Sequence, residues 1–294
     1  MAFRLMQKFA DITPVAASGK ATADLPASGT YYSILLHCLD GGAAVSVANI
    51  IADITNVRLT LDGTTVWEAS AQAIFNLFDQ RYNAYGASPQ AGVLPILLSA
   101  DHLESMNEAE ITGYGMGGIG VMQLEIDFGA SVGTSGHIDQ VAVYAERIAS
   151  TRPLGLHREL HRYERSFASS GDQEITDLPI EKFKGSVATA AYHLLYDGSA
   201  AVVQDVEVIV NSNVVKKFKP DTVKHVLERS RRKNMITTAA GSMFTIPFDK
   251  SNNLTGFLPH VGLDDFRIKV NWSAAPGAYT VVRESYHGIG QANK

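Results

Sequence analysis

The sequence is poor in the residues that bring covalent chemistry, and it holds no long hydrophobic run. Cysteine occurs once, at Cys38, so no internal disulfide can form. It sits in the apolar run 34–39 and reads as a small buried hydrophobe rather than a nucleophile. Charged residues make up only 19% of the chain and the net charge is −5, with a pI near 6.0. The chain as a whole therefore has no basic excess to hold nucleic acid, and no sequence-specific nucleic-acid partner is expected. No apolar stretch reaches the roughly 18 residues a membrane-spanning helix needs. Met1 to Ala10 lacks a long apolar core followed by a small-residue cleavage site, so no secretory signal is expected.

Catalytic motifs are missing too. None of the nine histidines stands in a His-x-His pair, which argues against a metal-binding tandem barrel of the cupin type. There is no Gly-x-Ser-x-Gly elbow and no P-loop. Gly-x-Gly-x-x-Gly occurs twice within 113–120, but an alternating, strand-like run follows it instead of a helix. It reads as a flexible surface loop. His157-Arg158-Glu159-Leu160-His161 would put two imidazoles on one face of a helix. Its carboxylate is one place out of the zinc-protease order, and the run reads as a solvated or interface segment. Asp264-Asp265 reads as loop charge.

What the chain does have is a repeat. Asp53 to Gly63 alternates as a strand, enters a turn and leads to a short helix at 70–83. The pattern returns 149 residues later, with Val206, Val208 and Val210 in the places of Val57, Leu59 and Leu61. Asn211-Ser212-Asn213 replaces Asp62-Gly63-Thr64. Further pairs agree: strands 31–39 and 190–196, strands 93–98 and 243–248, and closing strands 141–147 and 279–285. Leu124, Ile126 and Phe128 share one face, as do Phe266, Ile268, Val270 and Trp272. Pro95 and Pro247 favour edge strands or bulges over central strands. The first copy carries about eight extra residues within 42–53, expected in a surface loop. Trp272 reads as core, whereas Trp67 is expected to be partly exposed. The repeat predicts an all-β chain of two tandem jelly rolls, 1–150 and 151–294, each with a short helix.

The two copies differ in charge. Between 211 and 233 lie Lys216, Lys217, Lys219, Lys224, Arg229, Arg231, Arg232 and Lys233, opposed only by Asp221 and Glu228. The matching stretch 62–83 holds Asp62, Glu68 and Asp79 against Arg81 alone. Such asymmetry fits a solvated helix face, or more sharply a subunit contact or a surface facing anionic lipid or nucleic acid.

The strand and turn Val57-x-Leu59-x-Leu61-Asp62-Gly63 and the string Glu174-Ile175-Thr176-Asp177-Leu178-Pro179 carry a resemblance. The strand around Tyr192 to Tyr196, and Val206-x-Val208-x-Val210 with the helix to Arg232, complete it. The pattern resembles the small double jelly-roll major capsid proteins of icosahedral, internal-membrane bacteriophages, the corticovirus and lipid-containing Flavobacterium phage type. The resemblance implies a non-enzymatic building block that forms homotrimers, whose six rolls make a pseudo-hexameric capsomer tiling a shell around an internal membrane. Implied partners are neighbouring capsomers, penton and minor membrane proteins, and viral lipid. The implied location is the virion, after synthesis in the bacterial host cytoplasm. Family members can bind calcium to steady the shell; no cofactor is expected, and no calcium ligand maps onto this sequence. Residues 1–9 read as a first strand or an amphipathic arm, and their apolar-basic residues Phe3, Arg4, Leu5, Met6, Lys8 and Phe9, with the basic stretch above, are the candidate interface or membrane-facing surface. A tandem jelly-roll carbohydrate-active or carbohydrate-binding protein is the alternative, with Trp67 as an aromatic platform.

Overall fold

The computed structural model describes residues 4–12, 15–82, 88–101, 110–181, 187–198, 201–229, 235–238, 241–248 and 256–288. The first half contains strands β1 (Leu5–Ile12), β2 (Lys20–Leu25), β3 (Thr30–Asp40), β4 (Ala43–Ala44), β5 (Ile54–Leu61), β6 (Thr64–Ala69), β7 (Val93–Leu97), β8 (Tyr114–Gly115), β9 (Met122–Phe128) and β10 (Gln140–Ile148), with helices α1 (Val47–Asp53) and α2 (Ala71–Tyr82). The second half contains β11 (His157–Phe167), β12 (Gly171–Ile175), β13 (Val187–Tyr196), β14 (Val203–Val210), β15 (Asn213–Phe218), helix α3 (Pro220–Arg229), β16 (Met235–Thr238), β17 (Gly241–Pro247), β18 (Leu258–Pro259), β19 (Phe266–Trp272) and β20 (Gly277–His287).

In the first half, β1-β10-β3-β7 forms one sheet and β2-β9-β5-β6 the other. In the second half, β11-β20-β13-β17 and β12-β19-β14-β15 repeat that order strand for strand. Two four-stranded antiparallel sheets with this connectivity make a jelly roll, and the chain has two. Strict alternation builds each core. In β9, Met122, Leu124, Ile126 and Phe128 point inward while the residues between them are half-exposed. In β19, Phe266, Ile268, Val270 and Trp272 do the same.

The repeated turn shows how sequence fixes register. Asp62 and Gly63 have φ of 47° and 80°; Asn211 and Ser212 have 48° and 66°. Both hairpins thus take the left-handed two-residue turn that suits a twisted ribbon. Asp62 Oδ1 accepts from the Gly120 and Val121 amides at 2.9 and 2.8 Å. Asn211 Oδ1 accepts from the Asp264 and Asp265 amides at 2.8 and 3.1 Å. One side chain per roll therefore pins the hairpin to the loop before the next strand.

Pro95 lies in β7, which pairs with β3 alone among the described strands. Pro247 pairs with Ala191 at the end of β17, beyond the reach of β16. Neither proline removes a ladder hydrogen bond on both sides.

Several expectations need correction. The extra residues at 42–53 form β4 and α1 instead of an irregular loop. Ser46 caps α1 by accepting from the Asn49 amide, and Ile50 and Asp53 are buried. Trp67 is buried, not partly exposed, because β6 lies where the two rolls meet. The segment 113–120 is not a free surface loop either. Tyr114 and Gly115 pair with β3, and residues 113–116 are buried. A Cβ on Gly115 would lie 2.4 Å from the Arg152 carbonyl oxygen, so these glycines let the inter-roll linker pack close.

Candidate assembly surfaces and a histidine centre

The rolls are joined edge to edge. β6 of the first pairs in parallel with β11 of the second through Trp67 and Leu160, making one ten-stranded sheet. Each strand thereby covers the other's open edge. Helix α2, capped by Ser70, packs on β5 and β7 of its own roll and on β16 and β17 of the other. The sheet containing β13 is covered on both faces, which explains why all ten residues of β13 are buried.

Charge is sealed inside this junction. Glu284 on β20 is ion-paired with Arg158, whose Nε lies 2.9 Å from Oε1, and its Oε2 is hydrogen-bonded to the Arg81 guanidinium of α2 and to His193 Nε2 at 3.3 Å. Gln80 donates to Thr245 Oγ1 at 2.6 Å, which also meets His193 Nδ1 at 2.9 Å. Burial alone would push the Glu284 carboxyl up, but Arg158 and Arg81 hold it well below the usual carboxylate range. Burial and the nearby Arg81 lower Arg158. These residues escaped sequence reading. The available signal was a charge pair, Arg283-Glu284, set within an otherwise apolar closing strand.

Of the two readings of the N-terminal stretch, first strand and amphipathic arm, the strand is the one it forms. β1 pairs with β10 from Leu5 to Ile12. Arg4 is fixed over the Tyr32 ring at 3.8 Å and ion-paired with Glu110 at 2.9 Å and Asp101 at 3.5 Å. Phe9 packs against the first core beside Tyr31, with Arg147 over its ring. Lys8 pairs with Asp11 at 2.7 Å. Leu5 and Met6 remain outward, 42% and 52% exposed. Phe3 lies outside the described residues.

The basic stretch divides. Lys216 turns inward and donates to the Pro247 carbonyl at 3.2 Å, with its ammonium 4.6 Å from the Phe248 ring centroid. Lys217 pairs with Glu207 at 2.6 Å and is exposed, as is Lys219. Beside them, Val214 and Val215 are 56% and 50% exposed. Arg229 ends α3; Arg231, Arg232 and Lys233 lie outside the described residues.

The segment 157–161 is strand, not helix, and the strand period brings its histidines together as effectively. His157, Glu159 and His161 share one face of β11, and His287 of β20 sits opposite His157. Glu159 Oε2 meets His161 Nε2 at 2.8 Å and His287 Nε2 at 3.2 Å, while Oε1 meets His157 Nε2 at 3.0 Å. Burial opposes the Glu159 charge, but hydrogen bonds from His157 and His161 hold its pKa at about 2. Burial pulls His287 down to about 4 against the attraction of Glu159. Calcium asks for six to eight oxygens. This donor set is mostly imidazole nitrogen and does not fit that ion.

Two like jelly rolls fused in one chain make this a double jelly-roll protein. The chain belongs to the viral coat protein P2 family: residues 6–146 match the viral coat protein P2 N-terminal domain and residues 157–289 the C-terminal domain. Its fold is similar to that of the major capsid protein P2 from bacteriophage PM2, with TM-score 0.76, 18% identity and 97% of both chains covered. It is also similar to a chain in the atomic structure of Sulfolobus turreted icosahedral virus, with TM-score 0.67, 13% identity, and 97% and 90% covered. The Faustovirus major capsid protein gives 0.59, 7% identity, and 98% and 90% covered. No curated protein sequence matches. The chain is thus a structural capsid protein of the virion, not an enzyme, and the carbohydrate reading falls away. Trp67, its candidate platform, is buried in the junction.

Proposed function

We propose that three copies of this chain assemble into a pseudo-hexameric capsomer that tiles an icosahedral shell around an internal membrane. The observation that carries this reading is the sealed junction between the rolls. Trp67 against Leu160, and Arg81 and Arg158 against Glu284, make the two rolls one body, so three chains supply six rolls. Taking 1–150 and 151–294 as the two units, each carries a different outward apolar pair: Leu5 and Met6 on β1, Val214 and Val215 on β15. Unlike faces of this kind suit a heterologous ring contact, in which one roll meets a different roll of the next chain. Lys217 and Lys219 are the described cations best placed for neighbouring capsomers or anionic headgroups. Penton and minor membrane proteins are the further partners, and the host cytoplasm is the site of synthesis.

Negative-stain imaging of the purified protein tests the reading. Hexagonal outlines with threefold symmetry support it; isolated two-lobed particles at all concentrations oppose it.

A further inference from the structure

We propose that Glu159, His161 and His287 form a binding site for one divalent transition-metal ion of the zinc class. It lies at the end of the second roll, beside the linker between the rolls. The ligand atoms, Glu159 Oε2 and the Nε2 atoms of His161 and His287, all lie within 4.8 Å of one another. The two Oε2-to-nitrogen separations are 2.8 and 3.2 Å. Bonds of about 2.0–2.1 Å in a tetrahedron put neighbouring donors about 3.3 Å apart. An ion therefore needs these two contacts to open by at most roughly half an ångström, and the two Nε2 atoms, within 4.8 Å of each other, to stand about 3.3 Å apart, adjustments made by side-chain rotation.

The surroundings orient the donors. His157 holds the other carboxylate oxygen through its Nε2 at 3.0 Å and is itself aimed by the Gly155 carbonyl at Nδ1, 2.8 Å away. A ligand held by a neighbour whose far nitrogen is fixed on a backbone carbonyl is the outer-shell arrangement of protein metal sites. Arg283 stands opposite His161 in the register, but its guanidinium is turned to the Pro179 carbonyl at 3.0 Å and toward Glu181 at 3.5 Å. Glu159 is buried, but His161 and His287 are partly open to solvent, which gives an ion a way in past the imidazoles. In the metal-free arrangement, His161 Nε2 is hydrogen-bonded to the carboxylate at 2.8 Å, while His287 Nε2 lies 3.2 Å from both Glu159 Oε2 and the Ser285 hydroxyl. On binding, each ring carries its proton on Nδ1 and its Nε2 lone pair faces the ion. Two imidazoles and one carboxylate with an open fourth position suit zinc or cobalt, whereas calcium would leave most of its shell to water.

The test is calorimetric titration of the chelator-treated full chain with Zn²⁺, Co²⁺ and Ca²⁺, with the ligand-field absorption of bound Co²⁺ as a second readout. The expected result is one Zn²⁺ per chain, bound at least about 100-fold more tightly than Ca²⁺, and a four-coordinate Co²⁺ spectrum. The double variant H161A/H287A loses that binding by at least about 100-fold, while H225A, an exposed histidine of α3, keeps it. Equal affinity in wild type and double variant overturns the site. So does the absence of the Co²⁺ spectrum in the wild type, which decides the matter even if the double variant does not fold.

Discussion

Arg81 of the first roll and Glu284 of the second form an ion pair whose side chains are only 4% and 2% exposed. Such a pair adds little over a well-packed apolar pair, but removing one member strands a buried charge. Its consequence is specificity: α2 has one seat on the second roll, and the angle between the rolls is set.

The first prediction concerns that seat. Glu284→Gln leaves Arg81 and Arg158 buried without a carboxylate and should cost about 3–5 kcal/mol. Urea unfolding followed by tryptophan fluorescence checks this, since Trp67 lies at the junction and Trp272 in the second core. Stability within about 1 kcal/mol of wild type would contradict it.

The second concerns acid. His260 accepts from the Glu181 amide at Nδ1, 3.1 Å, and its Nε2 meets Thr189 Oγ1 at 2.8 Å, so the ring is held neutral. Burial, then Arg283, lowers its pKa from 6.5 to about 4. The unfolded chain therefore takes up this proton first as pH falls. Stability is lost from about pH 6.5 down to about pH 4, by on the order of 3 kcal/mol at the lower end. Glu159, held at about 2, adds its loss lower still, between about pH 4.5 and 2. His260→Gln should flatten the upper part of the profile in urea titrations at stepped pH. An unchanged slope between pH 6.5 and 4 would count against the buried neutral imidazole.

The third concerns the repeated turn. Ser212 sits at φ 66° where the first roll has Gly63. Ser212→Gly should stabilise by about 0.5–1 kcal/mol, because glycine accepts this conformation freely. Asp62→Ala removes the anchor for the Gly120 and Val121 amides and should cost about 1–2 kcal/mol, with Asp62→Asn largely sparing it. Thermal melts rank the three variants.

The duplication, both jelly rolls and the hairpin turns were legible because alternation with period two and a turn of Asp-Gly or Asn-Ser are local signals. The site was less legible because its parts meet only through register. His157 and His161 stand four apart, a helical reading as good as a strand reading until β20 sets His287 opposite them. Trp67 looked exposed because a residue just after a turn usually is. Its burial depends on β11, about ninety residues further on. Strand and arm could not be told apart at the N-terminus because Phe3 to Phe9 mixes apolar and basic residues without clean alternation. Its pairing with β10 lies at the far end of the first roll.

The fourth prediction follows from that pairing. Deleting residues 1–9 would remove Leu5 to Phe9, more than half of β1, and damage the first roll, so assembly is better probed at the surface. Leu5→Asp with Met6→Asp, or Val214→Asp with Val215→Asp, should leave the fold intact and weaken subunit association by at least about tenfold. Circular dichroism checks the first half of that statement and analytical ultracentrifugation the second.

The most direct test of the assembly is the solution mass by light scattering across a concentration series. The account predicts a stable species at three times the chain mass of 31.7 kDa, unchanged on dilution. A monomer at 31.7 kDa throughout would contradict it.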